Sequence, residues 1–304
     1  MSIINLQKYK GVGFAFLSMF LGCMATIFYK PIMLQGVSPT VIGLIESGLL
    51  TILLLYSRPW RLLKSNKRIV QPIILASVLQ AIGSISFIFG LHFLDPVTFS
   101  FLNRNQALFS IILGYFFLQE RHNLATWIYI TTAIVGSILL CYADMDSMNL
   151  IGVLFALMFC ISFSLRNFVM RKHKRMPAMV NIFCGNLFTL AFIGVFALYD
   201  PASVSTLPEV NVLMTLSIVA LVAIFGALYF YQLAFRFEKL SVISPVRLFS
   251  PFVVTIYFGW EIGYNFPALK MVGILIMTFS CLTLLYSYRT LGSVEIQQPA
   301  LEQN

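Results

Sequence analysis

Ten apolar runs, each long enough to cross a bilayer, leave this chain almost no residues for anything else. A spanning helix needs about 20 mostly apolar residues, with a range of roughly 17 to 25. Segments near 11–30, 38–57, 69–91, 96–118, 123–142, 149–170, 178–199, 210–235, 242–260 and 266–288 qualify. Hydrocarbon offers the backbone no hydrogen-bond partner, so runs of this kind fold as helices. The expected fold is therefore an all-α polytopic membrane protein with ten transmembrane helices. Composition agrees: of 304 residues, 59% are hydrophobic and 10% charged, whereas soluble domains carry about 25% charged residues.

A net charge of +9 would suit a nucleic-acid binder only if the basic residues clustered on one soluble face. Here they sit in alternate short loops: Lys8 and Lys10; Arg58, Arg61, Lys64, Lys67 and Arg68; Arg121; Arg171, Lys172, Lys174 and Arg175; Arg236 and Lys239; Arg289. The intervening loops hold Asp95, Asp144, Asp146, Asp200, Glu209 and Glu261. This asymmetry places both termini in the cytoplasm of a cell whose inner membrane holds the chain. The first run follows Lys8 and Lys10 as a signal peptide would, but no small-residue cleavage site follows it, and it is expected to remain as a span. The 5 cysteines lie within or at the ends of apolar runs and form no Cys-x-x-Cys pair, so they read as packing residues and not as metal ligands or disulfides.

The chain also repeats itself. A shift of 141 residues lays "GVGFAF" at Gly11 over "GVLFAL" at Gly152, Lys30 over Arg171, and Glu120 over Glu261. Each half then holds five spans, an odd number, so the second half enters the membrane from the opposite side. Residues 1–146 and 147–291 are the expected halves of this 5+5 inverted repeat, and 292–304 a disordered cytoplasmic tail. Inverted repeats are the architecture of secondary transporters, which bind substrate near the midplane between the halves.

The stretch "YFFLQERHNLATWIYITTAIVGSILL", with Glu120, Arg121 and Gly136, resembles the Gly-Glu-Arg signature and following span of the EamA branch of the drug/metabolite transporter superfamily. The second half echoes it in "YFGWEIGYNFPALKMVGILIM", with Gly259, Glu261 and Gly273. The resemblance covers nearly the whole chain. It implies ten spans in two five-helix halves, a central cavity lined by spans one to four and six to nine, a peripheral fifth and tenth span, and export as the default direction. It assigns no binding residue.

Those must come from the charges inside the spans, which are Glu46, Arg104, Arg166 and Arg247. Ionisable residues at membrane depth usually face a cavity or a partner. Glu46 and Arg104 each lie eight residues past the outer end of their spans, roughly 12 Å deep at 1.5 Å per residue. Either they share a cavity, where Arg104 meets an anionic group and Glu46 an amine or a coupling proton, or they form a structural ion pair. Arg166 and Arg247 lie roughly 7 to 8 Å from the cytoplasmic edge, within snorkelling reach, and Pro251 is expected to kink the helix one turn beyond Arg247. In the run Asn103-Arg104-Asn105-Gln106, Arg104 is expected to face the cavity with Asn105 or Gln106 beside it, and Asn103 to bond a neighbouring helix. Gln80, Tyr231, Asn167, Asn181 and Gln232 either line the same cavity or act as interhelical glue.

No Walker, Gly-x-Ser-x-Gly or His-Glu-x-x-His pattern appears, so neither catalysis nor a cofactor is expected. With three in-span arginines against one glutamate, the expected function is secondary transport of a small organic metabolite, an amino acid or related zwitterion or anion, by alternating access. The alternatives are a multidrug or cation exporter depending on Glu46, and a lipid-interacting membrane protein whose arginines hold phosphates. The expected partners are a small-molecule substrate and the bilayer but no nucleic acid; a coupling proton and a homodimer stay open.

Overall fold

The computed structural model describes residues 10–56, 58–59, 69–118, 124–143, 149–173, 176–204, 208–237, 243, 246, 249–262, 268–269, 271–280 and 283. Among the described residues all regular structure is helical. In chain order the helices are α1 (Lys10–Leu34), α2 (Pro39–Leu55), α3 (Val70–Phe93), α4 (Pro96–Leu102), α5 (Asn105–Leu118), α6 (Leu124–Ala143), α7 (Leu150–Lys172), α8 (Ala178–Tyr199), α9 (Val210–Phe237), α10 (Ser250–Ile262) and α11 (Met271–Ser280). Five of them, α1, α3, α7, α8 and α9, are long and apolar enough to cross a membrane. Calls on the residues beyond this set, Arg247, Glu120 and the 292–304 tail among them, lie outside the described residues.

Local chemistry sets the helix ends. Ser38 caps α2 by accepting from the Val41 N–H at 3.2 Å, and Asp95 caps α4 through the Thr98 N–H at 2.9 Å. In both helices a proline follows the cap, where its missing N–H leaves no bond unmade. The C-terminus of α3 is closed from outside the helix, because Lys30 of α1 donates to the carbonyls of Leu91, His92 and Leu94 at 2.9, 3.1 and 2.8 Å. A cation suits the negative end of a helix dipole. Arg171 of α7 does the same at the end of α9, donating to the Phe235 carbonyl at 3.3 Å. Lys30 and Arg171 are 141 positions apart, and so are the acceptors Leu94 and Phe235.

The segment expected as one span over 96–118 is instead broken at Asn103 and Arg104, between α4 and α5. The segment over 210–235 runs as one helix, α9, with a wide π turn at Val219–Ile224. Pro251 sits in the first turn of the described α10, and the Arg247 side of the expected kink lies outside the described residues.

Packing joins early helices to late ones. α3 lies against α7 and α8, α1 against α9 and α10, α2 against α8 and the π turn, α4 against α10, and α5 against α7. Glycines set the closest approaches: a Cβ on Gly83 would fall 2.3 Å from the Phe163 ring, and one on Gly136 would fall 2.7 Å from Met277. Small residues at such crossings let helices pack where no hydrophobic force drives them together. Large apolar side chains such as Ile52, Phe116, Val195, Ile256 and Leu275 stay exposed, as a lipid-facing perimeter requires.

Lys30→Met is expected to lower the detergent melting temperature, because three charge-assisted bonds worth about 1.5–3 kcal/mol each at most would be lost. An unchanged melting temperature would show that Lys30 does not close α3.

Candidate substrate-binding cavity

The helix break decides where the polar residues point. In an unbroken helix the Ser100 carbonyl would accept from the Arg104 N–H. Instead that N–H turns to the Phe101 carbonyl at 3.0 Å, Gln106 N–H bonds Asn103 at 3.2 Å, and Ala107 N–H bonds Arg104 at 2.9 Å. These are the tighter i→i−3 bonds of a 3₁₀ turn. The carbonyls so released find side chains: Arg104 Nε donates to Ser100 at 3.0 Å, and the Cys160 thiol to Leu102 at 3.4 Å. Ser164 Oγ donates to the Gln106 carbonyl at 2.8 Å, one turn further along. Non-helical backbone at membrane depth survives only when buried in protein or lining a cavity, and here it does both.

Around the break lies a cavity of about 110 Å³, several times the roughly 10–15 Å³ that a single water needs. Residues of α1, α2, α3, the α4–α5 break, α7, α9 and α10 line it, and none of α6, α8 or α11 does so. Its lining is mixed: Thr26, Glu46, Ser84, Asn103, Arg104 and Gln106 bring most of the polar groups from the first half of the chain, beside Met19, Phe87 and Ile88, whereas the second half brings chiefly apolar Phe159, Phe163, Ile224, Leu228 and Val254.

Glu46 and Arg104, expected level with one another, line this same cavity but do not ion-pair. The Glu46 side chain, 6% exposed, accepts from the Tyr29 hydroxyl at 2.8 Å, while Arg104 holds the Ser100 carbonyl. The structural ion pair is therefore not the arrangement. Gln106 lines the cavity beside Arg104. Asn105 does not: its Oδ1 accepts from Ser137 Oγ on α6 at 3.1 Å. Asn103, expected on a neighbouring helix, faces the cavity. A regular 100° step per residue would spread these side chains around the helix; the break brings three of the four to one side.

The remaining candidates lie elsewhere. Gln80 of α3 presses against α8 at Gly185. Arg166 of α7 is 0% exposed, with its guanidinium 5.4 Å from the centroid of the Phe163 ring, so it does not snorkel. Tyr231 accepts from Asn167 Nδ2 at 3.2 Å. None of the three lines the cavity. Sequence reasoning did not single out Tyr29, Thr26, Phe87, Phe159 or Phe163. An aromatic or threonine in an apolar span carries no mark of the face it presents.

Residues 9–142 match the model of the EamA-like transporter family. No curated protein matches the chain. Among solved structures, one titled "Crystal structure of protein" superposes on this chain with a TM-score of 0.64 at 13% identity, covering 90% of this chain and 98% of its own. That likeness shows the fold, and it extends through both halves. The apolar helices and the match over residues 9–142 together indicate a multi-pass membrane protein.

Tyr29→Phe and Glu46→Gln should be non-additive in thermal stability, with a coupling of about 1.5–3 kcal/mol for a bond to a charged acceptor. Additive losses would mean that Tyr29 does not hold Glu46.

Proposed function

We propose that the chain is a secondary transporter of a small carboxylate-bearing organic metabolite, an amino acid or related zwitterion first, which it moves by alternating access through the cavity between its halves. The observation that carries this reading is the cavity's make-up: a buried carboxylate and a guanidinium, engaged with different protein groups, face one space that aromatic and aliphatic side chains also line. Arg104 would receive the carboxylate and Glu46 an amine, while Phe87, Phe159 and Phe163 would receive the apolar part. A guanidinium matches a carboxylate with paired donors.

The 5+5 inverted repeat supports alternating access. Exchanging each helix for its counterpart 141 residues away returns the same packing scheme: α3 on α7 exchanges with α9 on α1, α5 on α7 with α10 on α1, and α3 on α8 with α9 on α2. Lys30 and Arg171 close helices 141 residues apart in the same way. Gly136 meets Met277, its own counterpart, as residues on a two-fold axis must. We take residues 1–146 and 147–291 as the two repeats, with an inner-membrane location and cytoplasmic termini on the basic-loop asymmetry. Export is the direction the family suggests.

One observation favours a second reading. Three phenyl rings and Glu46 in one cavity also suit an apolar cation, and a multidrug exporter would depend on Glu46 more than on Arg104.

In proteoliposomes, Arg104→Gln is expected to reduce exchange of carboxylate metabolites by at least about 100-fold, the effect of losing a charged contact worth about 3 kcal/mol. Because Arg104 also holds the Ser100 carbonyl, exchange is compared at equal amounts of folded, reconstituted protein. Wild-type exchange in Arg104→Gln, with loss in Glu46→Gln, would replace this reading with the cation exporter.

A further inference from the structure

Below the cavity, towards the end of the bundle that carries Arg171 and Arg236, lies a second polar layer. It can be followed along four helices. On α7, Phe159 and Phe163 line the cavity, Arg166 and Asn167 come next, and Val169 and Met170 then enter an apolar cluster. On α3 the order is Ser84, Gln80, then Ala76 and Ile73; on α9 it is Leu228, then Tyr231 and Gln232, then Ala234 and Phe235. On α8, Val180 belongs to the apolar cluster, Asn181 comes next, and Gly185 carries the Gln80 carboxamide against its backbone. Asn181 Nδ2 contacts Met170 of α7, one turn from Arg166, and Asn167 bonds Tyr231, so the four helices meet at this level.

The layer is tightly packed and incompletely bonded. Among the described residues, both amide atoms of Gln80 and of Gln232, and the side-chain oxygens of Asn167 and Asn181, are buried with no hydrogen-bond partner. Gln80, Asn167 and Asn181 are 0% exposed. Buried polar groups without partners are costly, and each one in a native protein calls for an explanation. A cation and four amides at one level, with a single aromatic ring, Phe163, shared between them and the cavity, supply it.

We propose that the Arg166 layer is a second station for a carboxylate-bearing solute, closed in this structure by Phe163 on the cavity side and by the apolar cluster on the other. Parting α3 from α7 and α8, where Gly83 and Gly185 allow their present close approach, admits water and the anion to Arg166, and the orphaned amides then gain partners. The proposal rests on the transporter reading, yet its tests need no transport.

The first test is Gln80→Leu, which removes an unsatisfied amide and keeps its bulk. The melting temperature should rise by roughly 2–4 °C, the usual size for one such group in a chain of this length; a fall would mean that the amide is already satisfied, and would overturn the proposal. The second uses Gln80→Cys in a cysteine-free background, treated with membrane-impermeant thiosulfonates of opposite charge, each rate normalised to that with free cysteine. The anionic sulfonate reagent should react at least about tenfold faster than the cationic ammonium reagent, and Arg166→Gln should erase that preference. If Arg166→Gln does not fold, the ratio with Arg166 in place still decides. Equal rates, a cationic preference, or no reaction from either side of the membrane would overturn the station. Failure of Arg104→Gln to affect exchange, by contrast, would strike only the transporter reading.

Discussion

The fold turns on one backbone constraint. At membrane depth a carbonyl without a partner is expensive, yet the fourth apolar segment opens its helix at Asn103 and Arg104. Arg104 makes this possible from within, since its Nε takes the Ser100 carbonyl that its own N–H has left. Cys160 and Ser164 of α7 complete the repair from a neighbouring helix. The break thereby ties α4 and α5 to α7, and it turns Asn103, Arg104 and Gln106 together into the cavity. The cavity-facing polarity and the helix repair are parts of one local solution.

The remainder of the assembly follows from how the halves meet. Helices of the first half bury against those of the second at every major contact, with Gly83, Gly136 and Gly185 allowing side chains to press directly on opposing backbones. The cavity is therefore lined from both halves of the chain. The π turn of α9 ends at Ile224, which lines the cavity. Two helical irregularities thus adjoin the same space, as is common for π turns at functional positions.

Much of this was legible in the sequence. Run length and loop charge located the helical segments, and the 141-residue shift paired Lys30 with Arg171 before any contact was known. The charge count pointed to Glu46 and Arg104, which do share the cavity. What the sequence hid was orientation. In a span buried or lipid-bathed on every side, apolar periodicity does not mark an inward face as it does on a soluble helix. Of the two residues expected beside Arg104, Gln106 is there and Asn105 is not, and Asn103 faces the cavity and not a neighbouring helix, because an unbroken helix was assumed through four polar residues whose side chains compete for backbone partners. Polarity alone left Gln80 and Tyr231 open between the cavity and interhelical glue and depth alone set Arg166 within snorkelling reach, whereas three-dimensional packing buries all three one layer from the cavity.

The central claim is that the cavity between the halves opens to each side of the membrane in turn. Two-sided labelling of Ser84→Cys, in a cysteine-free protein reconstituted with known orientation, tests it most directly. With a membrane-impermeant thiol reagent added to one face at a time, the account predicts modification from either face, and a lower rate from both when an exchangeable metabolite is present. Modification from one face only, whatever metabolite is supplied, would contradict it.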